Sequence, residues 1–399
     1  MEKFDCIVAG AGISGFAAAL GARRAGATVL LVDRLPLVGG SVVYALTAFL
    51  SGWPFPRRAG GIADELIEAL ERRNALVWRG NNASVDEDII QQIMMQMLTD
   101  AGVEMLFNAD IVGAETCQRQ VKSISVQCCG KLLNFAADAF VDATGDASLS
   151  VLSGAETVTP KVELSMTKTL MFKVRNIKNF DKIAVAERFQ EVIKEYPFPV
   201  AIQNKFMGTP LTRDDEMVLN LTAVAGDAAD PLQYNAMHRE LLLQIPLIVE
   251  YLQKHFSEFA ECYVSKIAPL MGVRYTRSIA GWRTLTLEDM ANPEPPEDAV
   301  ALCGNYFGGH YIKNFASPWG SRITGNPAIP YGALRSKSFD NLLAAGRIIA
   351  ADPLVISAVR LNVTCIASGQ AAGIAAALKI PECSVLRAEL TRQNCIYQK

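Results

Sequence analysis

The spacing of apolar positions at the start of the chain predicts a strand, a helix and a second strand in succession. Residues 4–9 form a short apolar run, residues 14–25 are rich in alanine and leucine, and residues 28–32 form another apolar run. Short apolar runs are typical of buried strands, whereas a longer run suits a helix. The chain therefore opens with a predicted β–α–β unit.

A further helix is predicted over residues 85–101. Ser84 and Glu87 have the spacing of a capping box, the segment that follows has helical periodicity, and Gly102 supplies a stop. The capping box places the start of this helix directly after Ser84.

Alternating apolar and polar positions after that helix predict a small β-meander. Residues 103–116 and 122–128 read as two of its strands, and residues 133–146 return as a strand that ends in a Thr-Gly-Asp turn. We therefore expect residues 1–34 and 102–146 to belong to one nucleotide-binding domain.

The pattern changes character between residues 155 and 290, which predicts a second domain. Strand-like stretches at 167–174 and 216–224 alternate with polar segments, and a helix is predicted at 232–256 although it contains Pro246.

The last part of the chain begins with a long segment rich in turn residues. Residues 291–330 are predicted to be a loop, and aromatic residues between its turns favour an ordered loop folded over a ligand. A buried strand at 341–346 and one long helix of small residues at 355–378 follow.

Composition narrows the class of protein. A net charge of -3 gives no electrostatic reason to expect nucleic acid as a partner. Charged and polar residues interrupt apolar stretches such as 343–378, so no bilayer span is predicted. The nine cysteines include no CxxC pair and no zinc-type spacing, so we expect reduced thiols and no metal site. No signal peptide precedes the first strand, so we expect a cytoplasmic protein.

A glycine-rich motif lies between the first strand and the first helix. Gly10-Ala11-Gly12-Ile13-Ser14-Gly15 satisfies GxGxxG, and Asp33 follows at the end of the next strand, 18 residues after Gly15. In this context the glycines allow a tight turn and close backbone approach to a pyrophosphate, and the acid accepts from ribose hydroxyls. The motif predicts a bound dinucleotide but does not choose between NAD and FAD, which share the ADP half.

Further segments resemble a known class of flavoproteins. Arg34 with Gly39-Gly40-Ser41 resembles the FAD-binding proteins of the glutathione-reductase type, and Ala143-Thr144-Gly145-Asp146 resembles their ATGD signature. The segment 341–378 resembles the terminal FAD segment of the FAD-dependent oxidoreductase family called FAD_oxidored, related more distantly to fumarate-reductase flavoproteins. The resemblance covers about half of the chain, at residues 4–41, 84–146, 272–289 and 329–378.

This resemblance implies the fold class and the cofactor. The expected fold is α/β, with a Rossmann-like FAD-binding domain (a βαβ unit with a mainly parallel sheet and a β-meander) at 1–154 and 291–399, plus a second α+β substrate domain at 155–290. It implies FAD as the cofactor and hydride transfer between a small organic substrate and flavin N5. The expected cofactor-binding residues are Gly10, Gly12, Ile13, Ser14, Gly15, Asp33, Arg34, Gly39, Gly40, Ser41, Ala143, Thr144, Gly145, Asp146, Gly346, Arg347, Arg360 and Asn362.

Four residues are candidates for catalysis beside a flavin. His310 lies in the aromatic loop and has a pKa class suited to proton transfer near neutrality, but it also fits a packing role. Tyr331 is a candidate for proton transfer. Arg274 and Arg277 are candidates for binding a substrate carboxylate or carbonyl, or for salt bridges between the domains.

Several alternatives stay open at this level. An NAD-dependent dehydrogenase and a flavoprotein whose FAD is structural or serves a partner are the rival functions. Oxygen, a quinone or a nicotinamide is open as the electron partner, and the substrate, reaction direction and oligomeric state are undetermined. No histidine occurs in residues 34–60, where relatives with tethered flavin often carry one, but attachment through Cys365 or Cys303 stays open.

Overall fold

A computed structural model describes residues 1–54, 59–160, 166–200, 205–292, 294–304, 306–307, 323 and 327–398. Its elements up to residue 152 are β1 Glu2–Ala9, α1 Ile13–Arg24, β2 Val29–Val32, α2 Gly40–Tyr44, β3 Phe49–Leu50, α3 Gly61–Arg72, β4 Leu76–Arg79, β5 Asn82–Val85, α4 Glu87–Asp100, β6 Glu104–Leu106, β7 Ala109–Cys117, β8 Gln120–Cys128, β9 Lys131–Asp142 and α5 Ser148–Leu152. The opening β–α–β unit is confirmed.

The elements that follow are β10 Thr157–Val158, β11 Phe172–Arg175, α6 Lys182–Glu195, β12 Gly208–Pro210, β13 Met217–Leu219, α7 Pro231–His255, β14 Tyr263–Ile267, β15 Ser278–Ile279, α8 Leu287–Ala291, β16 Ala299–Leu302, β17 Ala328–Pro330, β18 Leu342–Ala344, α9 Ile356–Val359, α10 Asn362–Ala377 and α11 Cys383–Arg392. Short 3₁₀ turns cover Ser257–Phe259, Tyr331–Ala333 and Gly346–Ile348.

The largest sheet combines parallel strands with an antiparallel edge. Its strands run in the order β6-β2-β1-β9-β8-β7, and β18 also pairs with β9. The pairs β1–β2, β1–β9, β2–β6 and β9–β18 are parallel, whereas β7–β8 and β8–β9 are antiparallel. The predicted α/β class and meander are confirmed, except that residues 103–116 divide into β6, which extends the parallel part, and β7.

The parallel strands end at one edge of this sheet, and that edge carries the glycine-containing turns of the sequence motifs. β1 ends at Ala9, β9 at Asp142 and β18 at Ala344, and these three residues lie in register on neighbouring strands. The glycine motif, the Thr-Gly-Asp turn and Gly346 follow these strand ends directly, so the topology brings together three segments that are far apart in sequence.

Helices α1 and α10 pack against each other with unusually close backbones. A Cβ on Gly369 would lie 2.2 Å from the Ser14 carbonyl oxygen, and a Cβ on Gly373 would lie 1.9 Å from the Ala18 carbonyl oxygen. Small side chains therefore let the two helices approach each other.

That predicted long helix is in fact two helices. α9 ends at Val359, Arg360 caps it in a helical conformation, and Leu361 is extended with φ -67° and ψ 143° before α10 begins at Asn362. The single-helix prediction is wrong because neither glycine nor proline marks the break.

The predicted capping box at α4 is also wrong. The Asp86 carboxylate accepts hydrogen bonds from the Asp88 and Ile89 N–H groups and caps the helix. Ser84 lies in β5 and donates its hydroxyl to the Pro210 carbonyl oxygen at 2.8 Å, while Glu87 faces a buried lysine.

A second sheet lies within residues 172–267, with strand order β12-β13-β11-β14 and antiparallel pairing throughout. Strands were predicted at 167–174 and 216–224, and β11 and β13 occupy part of each stretch. The helix predicted at 232–256 is α7, which contains Pro246 and is capped by Asp230. The two-domain boundaries remain a prediction.

The segment 291–330 is not a loop throughout. β16 and β17 pair antiparallel at its two ends, and α8 closes at Ala291. No helix of the described residues is long and apolar enough to cross a lipid bilayer.

Candidate functional site

The glycine motif forms a tight backbone turn between β1 and α1. Gly10 has φ +97°, a conformation that side chains disfavour, and a Cβ there would lie 2.5 Å from the Ala143 carbonyl oxygen. A Cβ on Gly15 would in turn lie 1.7 Å from the Gly10 carbonyl oxygen. The helix begins after Gly12 with no side-chain cap, so its first N–H groups point to the open end of the turn.

Asp33 binds the glycine turn from the end of β2. One carboxylate oxygen accepts from the Ala11 N–H, and the other accepts from the Leu35 N–H at 2.8 Å. Burial raises the pKa of Asp33, and these hydrogen bonds and the Arg34 charge oppose that effect. The carboxylate thus fixes the loop, and Asp33 also lines the cavity described below.

The Gly-Gly-Ser segment packs directly on the glycine turn. Gly39 donates its N–H to the Ala11 carbonyl oxygen at 2.9 Å. A Cβ on Gly40 would lie 2.6 Å from the Gly12 Cα. Any side chain at Gly40 would therefore fill the space beside the start of α1.

The Thr-Gly-Asp turn is held by the fully buried carboxylate of Asp142. Asp142 accepts hydrogen bonds from the N–H and hydroxyl of Thr144 and of Ser150 at 2.7–3.1 Å. Arg347, which follows β18, stabilises the same turn: it donates to the Gly145 carbonyl oxygen and forms an ion pair with Asp146 at 3.0 Å. Burial raises the pKa of Asp142.

A first cavity runs along these segments. Its walls include Gly12, Ile13, Ser14, Asp33, Arg34, Gly40, Ser41, Ala143, Thr144, Gly145, Asp146, Arg347, Arg360 and Asn362. Every one of these was predicted to bind the cofactor. The predicted residues that do not line it are Gly10, Gly15, Gly39 and Gly346.

Those four glycines support the cavity by close packing instead. Gly346 is typical, because a Cβ there would lie 2.7 Å from the Ser14 hydroxyl oxygen. The sequence motif therefore marks both the lining of the cavity and the backbone that shapes it.

A second cavity of about 380 Å³ adjoins the first. The second sheet contributes Gly208, Thr209 and Val218, and residues from the first half of the chain contribute Phe49, Ser51 and Asn82. Its volume is within the usual range for small-molecule sites.

The two cavities share part of their walls. The shared residues are Ser41, Gly272, Val273, Arg347, Arg360 and Asn362. Arg360 and Asn362 flank the break between α9 and α10, so this break lies where the cavities meet.

Arg274 lines the second cavity and is only 7% exposed. It donates to the Thr167 carbonyl oxygen at 2.6 Å, to the Thr169 hydroxyl at 3.1 Å and to the Asn220 side-chain oxygen at 3.4 Å. Burial and the charge of Arg360 lower the pKa of Arg274 to about 9.

The other catalytic candidates lie elsewhere. Arg277 lines neither cavity and donates to the Asp146 carbonyl oxygen at 3.3 Å. Tyr331 lines a separate cavity with Trp282 and Arg335, and its buried hydroxyl has no hydrogen-bond partner among the described residues. His310 lies outside the described residues.

Comparison with known proteins then assigns the family. The sequence profile of the FAD_oxidored family, described as FAD dependent oxidoreductase, matches residues 5–392. The chain belongs to this family. It is therefore an FAD-dependent oxidoreductase, and its cofactor is FAD rather than NAD alone.

Individual proteins show weaker similarity. The sarcosine oxidase subunit alpha of Rhizobium meliloti is 36% identical over 108 residues, a match that covers 26% of this chain and 11% of that protein. The chain thus covers about a tenth of the length of this relative, and only a segment is shared.

Two solved structures share the fold of this FAD-dependent oxidoreductase. A p-nitrophenol 4-monooxygenase from Pseudomonas putida has a TM-score of 0.53 at 12% identity, over 98% of this chain and 85% of that chain. A geranylgeranyl bacteriochlorophyll reductase-like protein from Thermoplasma acidophilum has a TM-score of 0.52 at 11% identity, over 98% and 83%.

The first cavity fits the family's cofactor. It combines uncapped helix N–H groups, an acid at the end of β2, and a turn from which side chains at Gly10 and Gly40 would be excluded by backbone atoms. These are the features that dinucleotide phosphates and ribose require.

Several lining residues were missed by sequence reasoning. In the first cavity these are Tyr234 and the backbone segment 270–273, and in the second they include Lys182, Phe206, Thr209, Asn220 and Tyr306. Tyr234 and Lys182 lie in helices and the others in strands or loops, and apart from residues 272 and 273 none belongs to a segment that resembles the family, so only the tertiary fold brings them together.

Both cysteines considered for flavin attachment are buried. Cys365 lines the first cavity and Cys303 lines neither. Burial raises the pKa of each thiol to about 12, which keeps it protonated and a weak nucleophile.

Proposed function

We propose that this FAD-dependent oxidoreductase transfers a hydride between FAD in the first cavity and a small organic substrate in the second. The observation that carries the proposal is the shared wall, because two adjoining cavities give a cofactor and a substrate a place to meet. When bound, FAD supplies the hydride acceptor or donor at flavin N5.

The chain's own residues bind the cofactor in this proposal. The N–H groups at the start of α1 bind the pyrophosphate, and Asp33 accepts from the adenosine ribose. Arg347 orders the turn 143–146 through its contacts with Gly145 and Asp146. Arg277 supports the same turn and has no direct contact with either cavity.

Residues 155–290 serve as the substrate domain in this proposal. β12 and β13 supply one wall of the second cavity, and the side chains of Met171 and Phe206 make that wall apolar. Such a wall excludes water from the reacting groups. Arg274 orients the substrate, His310 remains the predicted proton carrier, and Tyr331 is assigned no step because it lines a different cavity.

Anaerobic stopped-flow absorbance tests the proposal. Purified holoenzyme is mixed with a panel of carbonyl, enoate, amine and sugar substrates, and the absorbance of the flavin at about 450 nm is followed. Oxidised enzyme tests for loss of this absorbance, and pre-reduced enzyme tests for its return. At least one substrate class should change the flavin absorbance in a single turnover.

The rival functions give different outcomes. A flavin that is structural or serves a partner would be bleached by none of these substrates but would still be reduced by dithionite. Chain purified without FAD, and unable to bind added FAD, would contradict the proposal altogether.

A further inference from the structure

The second cavity has an unbalanced charge. Its described lining includes the cationic residues Lys182, Arg274, Arg347 and Arg360, and it includes neither aspartate nor glutamate. Arg347 is paired with Asp146, which does not line this cavity, whereas Lys182 is exposed to solvent. A small-molecule site with this lining attracts anions.

Arg274 is the most deeply placed of these cations. Its guanidinium donates to a carbonyl, a hydroxyl and an amide oxygen, and it contacts no carboxylate among the described residues. A buried charge that has only neutral partners costs free energy, which a bound counter-ion would offset.

Neighbouring positive charges strengthen this effect. Arg360 lowers the pKa of Arg274, and Arg274 in turn acts on Lys168, which is 1% exposed. Burial lowers the pKa of Lys168 to about 8, the Asp227 charge opposes this, and Arg274 adds to it. Arg274 therefore has a positive charge near it on two sides, from Arg360 and from Lys168.

The rest of the cavity is apolar or aromatic. Phe49, Met171, Phe206, Met207, Val218 and Tyr306 form much of its surface. A ligand that suits this cavity has an apolar body and one anionic end.

We infer that the substrate of this enzyme is an organic carboxylate with an apolar or aromatic body, and that Arg274 binds the carboxylate. The three hydrogen bonds of Arg274 do not use its Nε–H or its second Nη1–H, so the guanidinium can still donate a charge-assisted hydrogen bond to a carboxylate oxygen. The inference rests on the proposed function, because it names the substrate class of the same site. FAD phosphates are the other anion source, but Arg274 does not line the first cavity.

Isothermal titration of the oxidised holoenzyme tests the inference. The probes are benzoate, phenylacetate and 3-phenylpropionate, each compared with its neutral amide, and phenyl phosphate as a different anion. At least one carboxylate should bind at least about tenfold more tightly than its amide, because a charge-assisted hydrogen bond is lost in the amide. Phenyl phosphate should bind more weakly than the best carboxylate.

Two arginine variants locate the site. Arg274→Gln should bring the ratio of amide to carboxylate dissociation constants close to one, and Arg274→Lys should give an intermediate ratio. Arg239→Gln, at an exposed position of α7, should retain the wild-type ratio. Circular dichroism and FAD content verify folding, and Arg274→Lys carries the comparison if Arg274→Gln does not fold.

Three results would overturn the inference. They are equal binding of carboxylates and amides, an unchanged preference in both Arg274 variants, and no carboxylate binding up to about 10 mM. Because titration measures binding without turnover, Arg274-dependent carboxylate binding with an unreactive flavin would contradict only the proposed function. Substrate turnover without carboxylate preference would contradict only the inference.

Discussion

Asp33 shows how one side chain both shapes and completes the cofactor site. Its two oxygens hold the Ala11 and Leu35 N–H groups, so the glycine turn and the end of β2 keep a fixed separation. The same carboxylate lines the first cavity. Under the proposed function, loss of its charge should therefore affect the loop and the contact with the ribose together.

Asp33→Asn should weaken FAD binding by about 10- to 100-fold, because hydrogen bonds to a charged acceptor are replaced by neutral ones. Fluorescence titration of apoprotein with FAD measures the dissociation constant. Asp5→Asn is the matched control, because the Asp5 carboxylate also accepts a backbone hydrogen bond, from the Thr28 N–H, but Asp5 lines neither cavity. Equal FAD affinity of the Asp33 variant and wild type would contradict the assigned role.

At the residue scale, the sequence predicted the lining of the first cavity far better than the lining of the second. Glycines and acids occur at strand ends because of steric and hydrogen-bonding requirements of the local turn. Gly12, Asp33 and Thr144 could therefore be recognised without knowledge of the fold. Asn220 and Tyr306 line the second cavity only because β13 and a distant segment meet there. No local spacing encodes that meeting.

At the element scale, the contact between α1 and α10 sets the position of the cavity junction. α1 starts at the glycine turn and α10 starts beside Arg360, so their close packing fixes both starts relative to each other. The sequence predicted the small-residue composition of this contact. It did not predict the break before α10, because Arg360 and Leu361 have no breaking tendency of their own.

Gly373→Ala should lower the free energy of unfolding by about 1–3 kcal/mol, although alanine ordinarily favours a helix by about 1 kcal/mol. The added methyl group would lie 1.9 Å from the Ala18 carbonyl oxygen and would push the helices apart. Urea unfolding of the holoenzyme, followed by circular dichroism, measures the change.

Gly113→Ala provides the control for this substitution. Gly113 lies in β7, and the nearest atom to an added Cβ is the Ser125 Cβ at 3.7 Å. This variant should be neutral or more stable by up to about 1 kcal/mol. A stabilised Gly373→Ala variant would show that the two helices separate at no cost.

At the scale of the whole molecule, a buried ion network connects α4 with the second sheet. Lys173 of β11 lies 2.7 Å from Glu87 of α4 and 2.5 Å from Glu216. All three side chains are at least nine-tenths buried. The sequence did not predict this network, because it depends on tertiary contacts between segments about 90 residues apart.

Lys173→Met should destabilise the protein by up to about 3 kcal/mol at pH 7, because it removes the buried cation that Glu87 and Glu216 share and leaves them only the more exposed Lys266 and Arg175 as partners. Lys194→Met is the control, since the Lys194–Glu191 pair is exposed and should contribute less than about 1 kcal/mol. Urea unfolding measures both. Equal losses in the two variants would contradict a special role for the buried network.

The same network predicts how stability depends on pH. Burial raises the pKa of Glu87, but the hydrogen bond and charge of Lys173 outweigh it, so the folded pKa lies below the ordinary 4.5. A depressed pKa gives stability above pH 4.5 that is lost as pH falls through the folded value. Without Lys173, burial is opposed only by a backbone hydrogen bond and the charge of Lys266, so the pKa of Glu87 should be higher than in wild type. The gap in stability between Lys173→Met and wild type should therefore narrow as pH falls from 7 toward 4.

The first cavity also constrains the order of events during synthesis. Asp33 and Asn362 line it together, yet about 330 residues separate them. A ribosome that adds about 5–20 residues per second takes roughly 16 to 66 s between the two. During that interval α10 has not been synthesised and cannot pack against α1. The nascent chain therefore contains only some of the residues that line the first cavity. Capture of FAD is consequently a late event, which awaits the emergence of the last helices rather than of the glycine motif.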